Sequence, residues 1–173
     1  LNAQNFTTAT DSLNTAVGYA AGVAVTTGTE NTLIGGLAGD ALTVGVRNVA
    51  VGKGALTTDV GGNKSVAIGH SALESQNLGA SSTDTFTTAV GYNAGSAVTT
   101  GVQNTLIGGL AGDALTDADF NVAIGYGALG ADTLGSKSVA VGHNNLRSQN
   151  FTTATNSFNT AIGHGAGLDV TTG

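Results

Sequence analysis

The sequence predicts an all-β fold, a parallel β-solenoid or β-roll of about nine coils, where a coil is one 17-residue lap of the backbone. The first observation is a recurring five-residue stretch, which occurs at 14–18, 31–35, 48–52, 65–69, 87–91, 104–108, 121–125, 138–142 and 159–163. Each copy begins at the same offset from the last, except for a longer step after every fourth copy. A fixed short period is the sequence signature of a repeat fold.

The second observation is the composition of the stretch. Its fourth residue is always Val or Ile and its fifth is always Gly, which predicts a short strand that ends in a bend. The third observation is the shortness of the unit, which leaves no room for a helical repeat. We expect the Val, Ile and Ala of each copy to line a narrow interior, with a second, weaker strand later in each coil. The structural repeat residues are Val17, Gly18, Ile34, Gly35, Val51, Gly52, Ile68, Gly69, Val90, Gly91, Ile107, Gly108, Ile124, Gly125, Val141, Gly142, Ile162 and Gly163.

The coils are grouped into blocks of four within one repeat domain, 1–173. Residues 4–10 recur at 149–155, an offset of two blocks. We assign 1–13 to the tail of a preceding coil, 14–86 to the first block, 87–158 to the second, and 159–173 to the start of a third. We expect the chain to be a segment of a longer fibre.

Each fourth coil carries the extra residues, which are polar and rich in Thr. We expect them to form a surface loop held by Leu78 and Phe86 in one block and by Phe151 and Phe158 in the other. Coils three and four also place Leu where coils one and two have Gly, which predicts that neighbouring coils interlock there. The possible binding residues of the loops are Gln76, Asn77, Thr83, Asp84, Gln149, Asn150, Thr153 and Thr155.

Composition excludes several function classes. The net charge of −6 argues against a nucleic-acid partner, and the absence of Cys excludes thiol chemistry and disulfides. No apolar run is long enough to span a bilayer, so we expect no membrane insertion by this segment. Asp117 and Asp119 are the only close acidic pair, and we predict neither an enzyme, nor catalytic residues, nor a cofactor.

Because an Ala-rich interior stabilises a single stack little, we expect several chains to associate.

Two groups of residues are candidate metal ligands, although we expect no metal. Asp40 and Asp113 lie in GGLAGDAL segments similar to the glycine-rich repeats of calcium-binding β-rolls, for which a plain tight turn is the alternative. His70, His143 and His164 follow the repeat Gly, at a position that also accepts Tyr, Lys and Gly, so an outward side chain is the simpler interpretation. Thr pairs at 26–27, 99–100 and 171–172 raise an ice-binding alternative but occur in only one coil of four.

The repeats resemble those of two groups of trimeric fibres. Residues 65–69 (SVAIG) and 138–142 (SVAVG) are similar to the head repeats of trimeric autotransporter adhesins. Residues 14–28 and 87–101, which end in TTG, are similar to bacteriophage tail-fibre shafts with the same repeat length. This resemblance implies a left-handed homotrimer located outside the cell, on a virion or on a bacterial surface.

The function expected from these features is that of a fibre shaft that displays a receptor-binding or adhesive tip, with the tail fibre favoured. The alternative is an adhesin segment that binds a host receptor or glycan directly, through the inserted loops or through the Tyr and His residues after the repeat Gly. In both cases the main partner is the chain itself.

Overall fold

The computed structural model describes residues 10–172, and this part of the chain consists of short strands and turns, with no helix. Most of the assigned tail of a preceding coil, 1–13, lies outside these residues. Thirteen strands are present in the described part: β1 Thr15–Val17, β2 Thr32–Ile34, β3 Val49–Val51, β4 Gly62–Asn63, β5 Val66–Ile68, β6 Thr83–Asp84, β7 Thr88–Val90, β8 Thr105–Ile107, β9 Val122–Ile124, β10 Gly135–Ser136, β11 Val139–Val141, β12 Thr155–Asn156 and β13 Thr160–Ile162.

One long parallel sheet organises the molecule. Its nine strands have the order β1-β2-β3-β5-β7-β8-β9-β11-β13, one from each coil. Equivalent residues pair directly, as Ala16 does with Leu33 and Val66 with Thr88 across the longer step. The predicted all-β parallel solenoid with about nine coils is therefore confirmed.

The second strand predicted in every coil forms in only some of them. Within residues 10–172, β4 pairs with β6, and β10 pairs with β12, so this second ladder joins the third and fourth coils of each block. Elsewhere the same side of the coil is a turn whose hydrogen bonds still reach the next coil, as from Thr26 N to Thr43 O at 3.0 Å.

The repeat Gly allows the coils to stack at the spacing of a sheet. Gly18 has φ of +132°, and a Cβ built on it would lie 2.5 Å from the carbonyl oxygen of Gly35 in the next coil. Only glycine combines this backbone angle with so close an approach of another backbone. The requirement recurs along the stack because each coil lies directly above the last.

The interior is lined by the central residues of the strands of the nine-stranded sheet. Leu33, Ala50 and Ala67 are fully buried, and the central residues of the later strands are also buried. The Val or Ile that follows faces outward: it is 58% and 70% exposed in the two end coils, at Val17 and Ile162, and 37–39% exposed or half-buried in the coils between them. The expected Val and Ile lining is therefore wrong, because successive residues of a strand point to opposite faces and the central residue already points inward.

The predicted interlocking of neighbouring coils is confirmed, because a Cβ built on Gly95 would lie 3.0 Å from Leu73 Cδ2 of the coil before it. Large and small residues are also matched within a coil. Leu56, Leu73 and Leu129 are fully buried in coils whose strands have a central Ala. Where the strand instead has a central Leu, the same position is Gly: a Cβ on Gly112 would lie 2.8 Å from Leu106 Cδ2. In each of these coils a single Leu therefore fills the interior, and it comes either from the centre of the strand or from the position after the common Ala.

The first residue of the repeat forms a buried hydrogen-bonded ladder. Asn31 Oδ1 accepts from the backbone N–H of Asn48 at 2.9 Å, and Asn48 Oδ1 accepts from Ser65 N–H at 2.9 Å. The Asn48 side-chain amide also donates to Gly62 O at 2.8 Å. The ladder supplies partners for buried backbone groups that no strand pairs, which is why polar side chains are stable here.

Candidate interaction surfaces

The outer face of the main sheet is a continuous apolar surface. The outward positions of its strands are all Thr, Val or Ile, with no charged residue among them. We call the second of these positions the outward apolar row. It comprises Val17, Ile34, Val51, Ile68, Val90, Ile107, Ile124, Val141 and Ile162. Nine strands spaced about 4.8 Å apart make the row about 38 Å long. A sheet face that meets water normally carries polar and charged residues, so this face has the composition of an interface.

A second exposed row precedes the strands and combines charges with aromatic rings. In this row Arg47 forms an ion pair with Glu30 at 2.9 Å, and Lys64 Nζ lies 4.8 Å from the ring centroid of Phe86. Lys137 Nζ similarly lies over the Phe158 ring, at 5.4 Å. These residues share a positive φ. The charges beside the apolar face are therefore engaged by neighbours within the chain.

A third row follows the repeat Gly and contains stacked rings. We call it the aromatic row. It comprises Tyr19, Gly36, Lys53, His70, Tyr92, Gly109, Tyr126, His143 and His164. His70 stacks on Tyr92 with ring centroids 5.6 Å apart, and Tyr126 stacks on His143 at 5.6 Å. His143 in turn stacks on His164 at 5.0 Å.

The candidate histidine ligands are divided between the two stacks. His143 and His164 are adjacent, whereas His70 lies four coils from His143, about 19 Å away at the spacing of a parallel sheet. All three side chains are exposed. Among residues 10–172 no group of three His, Cys, Asp or Glu is arranged to hold a metal ion.

The candidate calcium ligands also remain apart. Asp40 and Asp113 lie in the second and sixth coils, and burial raises the pKa of each carboxyl above its ordinary value. Backbone N–H groups near each carboxylate partly oppose the effect of burial on its pKa. Asp40 Oδ1 is shielded from solvent and has no hydrogen-bond partner. The structure thus places one acidic residue in each of two equivalent turns.

The candidate loop residues separate into anchors and surface groups. Gln76 and Gln149 are fully buried, whereas Asn77, Asp84, Asn150 and Thr153 are exposed, and Thr83 and Thr155 are half-buried. Gln76 Nε2 donates to Asp59 Oδ2 at 2.9 Å and to Ser65 Oγ at 2.9 Å. Only the exposed group is available to a ligand.

The buried Asp59 is a residue that sequence reasoning missed. It is fully buried, accepts from Gly62 N–H at 3.0 Å as well as from Gln76, and has a pKa raised by desolvation. Asp132 and Gln149 repeat the arrangement in the second block. The signal was present in the sequence, because each Asp lies one coil before its Gln.

The apolar residues predicted to hold the inserted segments do so only in part. Leu78 and Phe151 are half-buried, and a Cβ on Gly135 would lie 2.8 Å from the Phe151 ring. Phe86 and Phe158 are instead 53% and 68% exposed, so their assigned anchoring role is wrong. The buried Gln–Asp pair takes that role: Gln76 Nε2 hydrogen-bonds to Asp59 of the coil before it, while Gln76 Oε1 has no partner.

The Thr pairs do not form a continuous array. Thr99 Oγ1 donates to Thr116 O in the next coil at 3.2 Å, and Thr100 Oγ1 donates to the Asp117 carboxylate at 2.5 Å. These hydroxyl groups therefore bond within the protein. Asp119 accepts from Val102 N–H at 2.8 Å, so both members of the close acidic pair have partners inside the chain.

Comparison with known proteins gives no relative on which a function could be based. No family model, no curated protein and no solved structure matches the chain. No helix able to cross a membrane occurs among the residues that the structure describes. The fold defines the class of protein, a repeat protein of the parallel β-solenoid type, and its surfaces are the basis for any proposal about function.

Proposed function

We propose that this chain is a shaft segment of a non-enzymatic, extracellular fibre in which three parallel copies pack through the outward apolar row and display a receptor-binding or adhesive tip. The observation that carries the proposal is the uncharged outer face of the nine-stranded sheet. The similarity of the repeats to tail-fibre shafts and adhesin heads supports the number three and the location on a virion or a bacterial surface.

The size of the face supports self-association. Completing the burial of each Val or Ile contributes about 1 kcal/mol, so the nine residues together contribute on the order of 10 kcal/mol per chain. Association costs about 4–15 kcal/mol in lost motional freedom, so most of the row must be buried for a stable assembly. A second copy has the same strand spacing, and its side chains therefore match along the full length of the row.

The test is the mass of the assembly in solution. Sedimentation equilibrium should give about 50 kDa, three times the 16.8 kDa of one chain. Ile107→Lys should shift the mass toward that of the monomer, because the ammonium group would be buried among apolar side chains. Ala80→Lys, on the exposed inserted segment, is the matched control and should leave the mass unchanged. A monomeric parent chain would refute the proposal.

A second candidate function is direct adhesion through the inserted segments. It is favoured by the exposed polar side chains of Asn77, Asn150 and Thr153, which emerge next to buried anchors. Replacing these three residues by Ala leaves Gln76 and Gln149 in place. Lost attachment with an unchanged mass would favour the adhesin, and unchanged attachment would favour the shaft.

A further inference from the structure

The two ring stacks of the aromatic row are interrupted by a glycine. One stack ends at Tyr92 and the next begins at Tyr126, and Gly109 is the row member between them. One face of each tyrosine ring is covered by a histidine, and the other faces the interruption. Tyr92 is 60% exposed and Tyr126 is 50% exposed.

The space above Gly109 is open on the side of Tyr92. The atoms nearest to a Cβ built on Gly109 are Tyr126 Cδ2 at 3.5 Å, Tyr126 Cε2 at 3.9 Å and the Tyr92 carbonyl oxygen at 4.0 Å. The Tyr126 ring thus forms one wall, the Gly109 backbone forms the floor, and no atom of the Tyr92 ring is among these nearest atoms. We call this space the tyrosine slot.

The width of the tyrosine slot suits a puckered ring better than a flat one. The two walls belong to coils two steps apart, and at the spacing of a parallel sheet the strands of those coils lie about 9.6 Å apart. A guest held between two ring faces needs about 3.5–4.0 Å on each side, or about 7–8 Å in all for a flat molecule. The remaining space of about 2 Å matches the extra thickness of a sugar ring in its chair form.

The chemistry of the walls matches a sugar as well. Tyrosine faces attract the positively polarised C–H groups of a sugar ring, and their hydroxyl groups can both donate and accept hydrogen bonds. We propose that the tyrosine slot binds one pyranose ring of a glycan, sandwiched between Tyr92 and Tyr126 over Gly109.

The first block provides an internal comparison. Its equivalent positions are Tyr19, Gly36 and Lys53, so the floor and one wall are present while the second aromatic wall is replaced by a lysine. A Cβ on Gly36 would have no atom within 4 Å, so this position is more open than the one above Gly109. The proposal therefore predicts one sugar site in the chain rather than two.

The experiment follows the tyrosine rings during a sugar titration. The chain has three tyrosines and no tryptophan, so its ring resonances are few. Protein with ¹³C-labelled Tyr is titrated with the methyl β-glycosides of glucose, galactose and N-acetylglucosamine. At least one should shift the Tyr92 and Tyr126 resonances and leave Tyr19 unchanged, with an affinity of about millimolar to tens of millimolar for so small a ligand.

Three variants separate the slot from a general surface effect. Tyr126→Lys reproduces the first block and should weaken binding at least about fivefold, the ordinary effect of one aromatic face contact. Gly109→His should abolish binding by completing the stack, and it should fold because other coils carry His at this position. Lys53→Tyr should create a second site, seen as a new shift of Tyr19.

Several outcomes would overturn the proposal. The first is that none of the three glycosides shifts the tyrosine resonances at about 100 mM, where a sandwich of this size would be occupied. The second is that Tyr19 shifts as much as Tyr92 and Tyr126 in the parent chain. The third is that Gly109→His binds sugar as well as the parent chain does. The slot belongs to a single chain, so loss of sugar binding with an intact trimer leaves the proposed shaft unaffected. Conversely, a monomeric chain that binds sugar would refute the proposed trimeric shaft and would leave the proposed sugar site standing.

Discussion

Truncation of Leu106 tests the account of how the interior is filled. Leu106 is fully buried, and its methyl groups occupy the space left by the glycines at positions 95 and 112. Leu106→Ala removes three carbon groups worth about 0.8 kcal/mol each, or about 2.4 kcal/mol of transfer free energy. The hydrogen bonds of the parallel sheet hold the coils at a fixed spacing, so the coils cannot collapse onto the cavity. The free energy of unfolding should therefore fall by about 4 kcal/mol in total.

The assay is denaturant unfolding followed by circular dichroism. All variants are compared at one protein concentration, because association adds to the apparent stability. Leu168→Ala is the control, since Leu168 is 39% exposed and its truncation should cost less than about 1 kcal/mol. Ala123→Leu makes the complementary test: Leu129 already fills that coil, so the larger side chain should destabilise by about 1–3 kcal/mol. A loss below about 1 kcal/mol for Leu106→Ala would refute the reasoning.

Three further predictions concern the backbone and its buried polar groups. Gly108→Ala should unfold the chain or lower its melting temperature strongly, because the new Cβ would lie 2.6 Å from Gly125 O; an unchanged melting temperature would contradict direct stacking of the coils. Asn48→Ala should lower the free energy of unfolding by about 1–3 kcal/mol, measured with denaturant, because Ser65 N–H loses its acceptor. An unchanged free energy of unfolding would contradict a stabilising role for the Asn hydrogen bonds. The pKa of Asp59 is raised by desolvation above 3.8, so its contribution to stability is present below that pH and decreases as pH rises through the folded pKa. Asp59→Asn should therefore show a smaller loss of unfolding free energy above about pH 4 than the parent chain does, and parallel pH profiles would contradict this.

The repeat itself made the coil length and the parallel register predictable, because Gly after Val or Ile recurs at a constant step. The orientation of the strand residues was not read correctly. Ala16, Val17 and their equivalents are both apolar, and in a strand of three residues the pattern does not show which one faces inward. The inward residue could have been recognised from a compensating change in side-chain size. Leu33 occurs with Gly39, whereas Ala50 occurs with Leu56, and side chains need to compensate in this way only where they fill the same space.

The candidate surfaces were predictable to different degrees. The position after the repeat Gly was recognised as outward, and its Tyr and His residues are exposed. The stacking of rings across coils depends on the order of the coils, which places Gly109 between Tyr92 and Tyr126. The anchoring of the inserted segment by Gln76 was missed because its partner Asp59 is adjacent only once the coils are superposed.

A single cysteine in the outward apolar row tests the assembly most directly. The chain has no cysteine of its own, so Ile107→Cys introduces one unique thiol. Around a three-fold axis three such thiols can form only one disulfide, so oxidation or a short bis-maleimide should link about two-thirds of the chains into pairs and leave the rest single. Ala80→Cys, away from the row, should stay unlinked. Near-complete pairing would show a two-fold dimer instead, and no linking of Ile107→Cys would contradict packing through this face.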